Sequence, residues 1–476
     1  MRSLQQFLAL LCCLLLVAGP ASPAFNAATE WDVRTTGNDA NGGGFQVGAT
    51  GTDYSQQDAA QYAYDDIVIG TPNTTATSVD RAFSALDPGN VVNITAGTNC
   101  TVQRAQIVSQ VGGVATFDKA LGTIGSTCTG SLGGSLLTPG AAAVLVVAGN
   151  RVHLKAGTYT VTSSVTPNNV RHRWTGYSAT HDDWGTPPLV TTSTDSVNLF
   201  TFGTGADRAI ENISMSHTAA TRGKGIYSSG TSGNLLVHAC ILDGFTVGID
   251  SDLPRDGMTV TATEIKNCSS DGLRQDKRLY VSDSYIHNNG GLGIQCQGGG
   301  QELVVVNSII TNNTGGGIQT YTLPTSIRGC TIAGNGGDGI LDSTTENYRS
   351  AHFEDNIIYD NDGWGIAFAS DTPPLLWTSW YNALGANTRG DYGKTATATA
   401  KTPSRETGKV TLTADPFTNA AAGDYSLNNA AGGGALLKGT GFPGIFPGGT
   451  TTGYLGIGAV ESQAPTAGAH GSAFVN

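Results

Sequence analysis

Between Gly225 and Gly365 short apolar stretches alternate with polar, glycine-rich breaks, and the alternation recurs at near-constant spacing. A Gly followed by Ile or Leu returns seven times in phase, as Gly225-Ile226, Gly248-Ile249, Gly272-Leu273, Gly293-Ile294, Gly317-Ile318, Gly339-Ile340 and Gly365-Ile366, with Gly291-Leu292 out of phase. The gaps are 23, 24, 21, 24, 22 and 26 residues. A second apolar row, Ile241, Ile265, Ile286, Ile310, Ile332 and Ile358, keeps the later part of that series. Periodicity of this length marks a repeat architecture. Residues 279–289, Leu-Tyr-Val-Ser-Asp-Ser-Tyr-Ile-His-Asn-Asn, roughly alternate apolar and polar before an Asn pair, the pattern of a strand and a turn. No window carries a 3.6-residue apolar stripe of ordinary helix length, so helical repeats do not fit. Coils of three short strands and three turns do fit, and stacking supplies the core that a single coil cannot build. The Ile or Leu after each Gly should then line one buried column. Asp243, Asn267, Asn288, Asn312, Gly334 and Asp360, two past the second row, are expected in turns, where Asn and Asp tolerate left-handed backbone.

Outside the coils the rhythm fails. Arg2, an apolar run from Phe7 to Ala18, and Ser22-Pro-Ala24 read as a secretory signal peptide over residues 1–24. The protein is therefore expected to be secreted, extracellular or on the cell surface. Residues 25–145 read as an N-terminal β-rich module, for capping or for binding. Strands are expected at 91–94, 106–111 and 114–117, with a hairpin turn at Gly112-Gly113. The Gly/Ser-rich stretch 130–140 reads as a linker. Coils occupy 146–385, a C-terminal closing region 386–461, and a flexible tail 462–476.

Composition narrows the partners. Only 13% of residues are charged and the net charge is −12, with no basic cluster, which argues against nucleic acid and anionic membranes. No later segment is apolar enough for a membrane span. Six cysteines follow the leader. Cys100 and Cys128 share one module of an exported chain, so a disulfide between them is expected. Cys240, Cys268, Cys296 and Cys330 sit at unmatched offsets in their coils and read as core or turn thiols. No CxxC or Cys/His metal spacing occurs.

The "NxI…NNxGxGI" rhythm resembles the secreted right-handed parallel β-helix proteins, the pectate-lyase-like superfamily. Residues 149–159, Gly-Asn-Arg-Val-His-Leu-Lys-Ala-Gly-Thr-Tyr, resemble the first coil of that group, and 31–39 its opening segment. Asp415-Pro-Phe417, 423–427 and 453–459 resemble its closing region. The resemblance covers most of 146–461 and implies an all-β fold: a right-handed parallel β-helix with an N-terminal β-rich module and a C-terminal closing region. It implies no single activity, because the superfamily holds lyases, hydrolases, epimerases, adhesins and tailspikes. The Arg-x-Pro-x-x-Arg pattern of its pectate lyases has no match at 253–257. Of the polygalacturonase motifs only Asp182-Asp183 is echoed, in a segment, His181-Asp-Asp-Trp184, that reads as structural.

Strand alternation places candidate chemistry. If Ile after Gly points in, the residues two past Gly point out: Tyr227, Asp250, Arg274, Gln295, Gln319, Leu341 and Ala367. Those four past Gly include Asp252, Asp276, Gln297 and Tyr321. Asp252, Asp276 and Arg274 are the candidate catalytic groups, and Asp250, Gln295, Gln297, Gln319 and Tyr321 the candidate sugar-binding surface. Paired carboxylates can share a proton or hold Ca²⁺, although no calcium motif is present and no other cofactor is expected. The same residues would equally make a surface ion pair and solvated strand ends. His238, Arg328, His352 and Glu354 lie at mixed offsets and do not stack into one group, and His287, one past Ile286, is expected to be a lone exposed histidine. The function expected is engagement of an extracellular polysaccharide or cell-surface glycan, with cleavage by a lyase or hydrolase mechanism open. The alternative is a non-catalytic surface protein, adhesin-like or tailspike-like, and a homotrimer is compatible with either.

Overall fold

The computed structural model describes residues 28–229, 233–252, 257–297, 302–321, 324–343, 350–369, 376–394, 399–438, 440 and 458. The leader 1–24 and the tail 462–476 lie outside them, as do the side chains of Ser229 and Asp252. Within the described residues each coil gives one strand in turn to a 13-stranded, an 11-stranded and a 10-stranded sheet. One coil shows the order: Arg278–Ser282, Tyr285–His287, then Leu292–Cys296. Each strand pairs in parallel with its equivalent in the next coil, as Leu279 with Leu303, Ile286 with Ile310 and Ile294 with Ile318. The three sheets enclose one continuous apolar core.

The predicted column is there. Ile226, Ile249, Leu273, Ile294, Ile318, Ile340 and Ile366 are all fully buried. The glycine before each is set by space. A Cβ at Gly293 would lie 2.8 Å from Gly317 O and 2.6 Å from Ile310 Cγ2, closer than side chains pack. The second row needs one correction. Ile241 stands opposite Glu264, whereas its neighbour Leu242 pairs with Ile265 and is fully buried. The two apolar residues are adjacent, and a one-residue shift moves a side chain to the other face. The turn row shifts with it: Gly244, not Asp243, has the positive φ shared by Asn267, Asn288, Asn312, Gly334 and Asp360. Asp243 instead accepts a hydrogen bond from Asn267 Nδ2 at 2.8 Å.

One residue further on runs a row the periodicity did not single out. Asn289, Asn313, Asn335, Asn361 and Asn387 are buried. Each of the first four donates its Nδ2 to Oδ1 of the next, at 2.9 to 3.0 Å. The ladder satisfies amides that burial would otherwise penalise.

The N-terminal region divides differently from a module spanning 25–145. Thr29–Val33 pairs in parallel with Asn150–Lys155 and so belongs to the solenoid. Between them six strands from Tyr62–Ile69 to Thr127–Leu132 close a small barrel with its own core. The strands 91–96, 103–111 and 114–117 include the three expected ones. Residues 130–132 are not linker. They end a barrel strand in which Cys128, Gly130 and Leu132 alternate inward. Leu136, the short helix Pro139–Ala143 and Val146 pack on Trp31 and Val33 in the solenoid core, so this segment covers the first coil.

The expected disulfide joins Cys100 and Cys128, and the other four cysteines are buried and outside any disulfide. The C-terminal hairpin, Phe417–Asn419 and Asp424–Leu427, lies along a flank rather than across the far end. Phe417, Tyr425 and Leu427 cover Ile309, Ala333, Ile357 and Ala383, outward-facing residues of the 11-stranded sheet. Those residues are apolar, which is why the flank needs a cover. Among the described residues no helix is long and apolar enough to cross a membrane.

Candidate functional site

The 10-stranded sheet carries the polar strip. Tyr227 pairs with Asp250, Asp250 with Arg274, Arg274 with Gln295 and Gln295 with Gln319. These side chains share the outer face because each stands one residue past a buried Ile or Leu. Adjacent strands bring them to about 4.8 Å spacing along the solenoid axis.

Asp250 points outward yet is only 3% exposed. Lys224 covers it, with Nζ at 2.5 Å from Oδ2 and 3.8 Å from the centre of the Tyr227 ring. Arg274 Nε stands 3.9 Å from the other oxygen of Asp250 and 3.6 Å from Asp271. Asp250 is therefore an anchor for two cations, not an open carboxylate facing a sugar. Lys224 and Asp271 precede their glycines, outside the two-past and four-past positions, so strand alternation did not reach them.

Of the catalytic candidates, Arg274 is half-buried in that cluster. Regular pairing stops at Ser251–Gln275, and Asp276 begins to leave the sheet, its N–H still reaching Ser251 O at 3.3 Å. The face-to-face position of Asp252 and Asp276 therefore falls at the strand ends, and the Asp252 side chain lies outside the described residues. Gln297 and Tyr321 are exposed. Gln319 Nε2 donates to Tyr321 Oη at 2.8 Å and to Ser343 Oγ at 2.9 Å, so its amide is fixed in place. Beside Gln319 opens a shallow cavity of about 250 Å³, lined by Asp338, Asp362 and Arg389 among glycines of successive turns. None of these three was singled out by the repeat.

The other candidates do not gather into one group, although Glu354 stands opposite Arg328 on the neighbouring strand. His238 Nδ1 meets Thr261 Oγ1 at 2.6 Å, and its ring lies 5.0 Å from Trp184. His352 meets Glu354 and Thr378. His287 is buried rather than exposed, stacked on Tyr285 at 3.8 Å and paired with Glu264 at 3.1 Å. The C-terminal hairpin covers that flank, since Tyr425 packs on Tyr285.

A second polar centre lies on the outer face of the 13-stranded sheet, at the first coils. Pairing of Thr29–Val33 with Asn150–Lys155 sets Asp32 opposite His153 and Glu30 opposite Arg151. The turn after His172–Tyr177 folds back so that His181 stacks on His153, ring centres 3.8 Å apart. Glu30 Oε2 lies 3.3 Å from His153 Nε2 and 3.7 Å from His181 Nδ1. His181 Nε2 and Asp32 Oδ2 are 2.7 Å apart. Asp32 is held in turn by Tyr177 Oη and Arg34 Nε, each at 2.8 Å. Burial opposes charge on His181, but hydrogen bonding and attraction from Asp32 and Glu30 outweigh it and raise its pKa to about 9. Burial would likewise raise Glu30, yet the two imidazoles hold its carboxyl well below the usual carboxylate range. The sequence places these residues 28 and 123 positions apart, so no spacing motif could have joined them. The one local signal was His153 in outward phase between Val152 and Leu154.

The family model for the right handed beta helix region matches residues 256–375. Solved structures with a similar fold include the A-module of Azotobacter vinelandii mannuronan C-5 epimerase AlgE4, at 11% identity over 56% of this chain and 89% of that one, TM-score 0.37. Pectate lyase Pel9A is 14% identical over 69% of this chain and 91% of that one, TM-score 0.40. A catalytic domain of GH87 alpha-1,3-glucanase is 11% identical over 78% of this chain and 89% of that one, TM-score 0.36. No curated protein sequence matches the chain. The family match and the parallel sheets make the fold a right-handed parallel β-helix. Likeness at these identities says nothing about activity.

Proposed function

We propose that this right-handed parallel β-helix is exported and binds an extracellular polysaccharide along the outer face of its 10-stranded sheet. One observation carries the reading: Tyr227, Asp250, Arg274, Gln295 and Gln319 stand in register on successive strands, facing the same way. A row of cation, amide and tyrosine groups repeated at strand spacing suits a chain ligand that repeats its own hydroxyls or carboxylates. Lys224 and Arg274 supply positive charge at one end, which favours an acidic glycan there. Asp250 holds both cations in place. Cleavage, if it occurs, is assigned to Asp252 and Asp276 with Arg274 beside them.

The test is a panel of polysaccharides that includes mannuronan, pectate and α-1,3-glucan. Binding is read by retention, and products by absorbance of unsaturated ends and by reducing-end detection. Arg274→Ala should weaken binding of an acidic polymer about tenfold or more, as loss of a charge-assisted contact does. Asp252→Asn or Asp276→Asn should abolish any cleavage while leaving the circular dichroism spectrum unchanged. Full binding and activity in all three variants would move the site off this face.

A further inference from the structure

We infer that the shallow cavity beside Gln319 is a subsite for one neutral pyranose of the bound glycan. The inference rests on the reading of the 10-stranded face as a glycan-binding strip and adds a class of sugar to it. The cavity measures about 250 Å³. Pockets that take a drug-sized molecule run from about 300 Å³ upward, so this one suits a single ring. It is made by the turns that lead into the strands of that sheet. Those turns stack so closely that side chains are excluded: a Cβ at Gly337 would strike Gly315 O, and one at Gly363 would strike Asp338 Oδ1. The surface therefore dips to the backbone between larger neighbours.

The polar lining accepts more than it donates. Asp338 Oδ1 takes the backbone N–H of Trp364 at 2.7 Å, which fixes its carboxylate at the rim. Asp362 is exposed on the next turn. Both amide hydrogens of Gln319 go to Tyr321 Oη and Ser343 Oγ, so what Gln319 offers a ligand is its carbonyl oxygen. Arg389 supplies the cation of the lining. Two carboxylates against one guanidinium leave the cavity negative, which turns away a uronate, whereas hydroxyls donate to such oxygens. Leu292 and Leu341, both half-buried, give it apolar walls. A neutral pyranose has the matching surface, with hydroxyls around its edge and C–H groups on its faces. A few fixed polar groups among apolar walls are what orients a small ligand. Arg274 lies three strands back in the register from Leu341. At strand spacing that is about 14 Å along the axis, so one glycan of a few units reaches the cations and the cavity together. The glycan so defined carries neutral sugars beside acidic ones.

The experiment uses the full chain and calorimetric titration with neutral tetramers of glucose, mannose and galactose. Tetramers of mannuronate and of glucosamine are the charged counterparts. A neutral tetramer should bind, and Asp362→Ala should weaken it at least about tenfold, as loss of a hydrogen bond to a charged group does. Asp362 is exposed, so its loss should spare the fold, which the melting curve checks. Asp80→Asn, at an exposed carboxylate of the barrel region, should bind like the parent. A neutral tetramer held equally by Asp362→Ala and the parent would overturn the cavity as its place. A charged tetramer lost in Asp362→Ala, with no neutral tetramer bound, would overturn the class of sugar. Retention of an acidic polymer that needs Arg274, with no neutral tetramer bound, would overturn this inference and leave the strip standing. No binding of any polymer or tetramer would remove both.

Discussion

Ile241 and Leu242 differ by one position and by the side of the sheet they occupy. The spacing of Ile residues pointed to Ile241, but pairing with Ile265 puts Leu242 in the core. Leu242→Ala should therefore cost about 2–5 kcal/mol and Ile241→Ala under about 1 kcal/mol, read as shifts in denaturation midpoint. Equal costs would mean the strand sits in the other register. His172 makes a second case. It lies buried against Trp174, Phe202 and Arg208, its nitrogens without hydrogen bonds. Burial and the Arg208 charge push its pKa down to about 4. The unfolded chain binds a proton below about 6.5 that the folded chain refuses, so stability falls as pH drops from 6.5 toward 4. At about 1.4 kcal/mol per pKa unit the loss is roughly 3 kcal/mol. His172→Phe should flatten that part of the stability–pH curve, and an unchanged slope would show that His172 does not titrate there. Neither effect was legible in the sequence, because adjacent apolar residues look alike and a histidine's burial depends on residues far along the chain.

At the scale of the element, two stacked rows define the coil. The glycine row was legible because its spacing is visible in the sequence, but its cause is the approach of the next turn. Gly293→Ala should destabilise by about 1–3 kcal/mol, since the added Cβ meets Gly317 O and Ile310. Gly140→Ala, in the capping helix with open space around it, should be neutral or slightly stabilising. The turn row was legible at five of its six positions, but the buried row beside it was not. The outer positions stand in the turns, while the inner ones, Asn289 to Asn387, carry the buried ladder. Asn335→Ala removes the oxygen to which both the backbone N–H and the Nδ2 of Asn313 donate and should cost about 1–3 kcal/mol. Asn335→Asp should cost more, because its carboxylate would face Asn361 Oδ1 where an amide now donates. An Asp variant as stable as the Ala variant would argue against a continuous ladder.

At the scale of the whole molecule, the solenoid needs cover at its first coil and along one flank. The cover for the first coil is the segment around Pro139–Ala143, and the flank is covered by the C-terminal hairpin. Burial of large apolar side chains such as Phe417 and Leu427 is worth about 1.5–3 kcal/mol each. Removal of residues 413–476 should therefore lower the melting temperature clearly and raise binding of a hydrophobic dye, as Ile309 and Ile357 become exposed. A truncated chain that melts like the parent would show that the flank does not depend on the hairpin.

The sequence by itself determined the repeat, the parallel coils, the buried column from Ile226 to Ile366 and the Cys100–Cys128 pairing. Each of these follows from local alternation, from a period that recurs, or from proximity within one compact module. The outward direction of Asp250, Arg274, Gln295 and Gln319 was legible for the same reason. Tertiary structure alone decided what surrounds them: that Lys224 buries Asp250, that Thr29–Val33 joins a coil 120 residues later, and that Glu30, His153 and His181 meet. Those contacts run between coils and across inserted segments, where separation along the chain carries no information about distance in space.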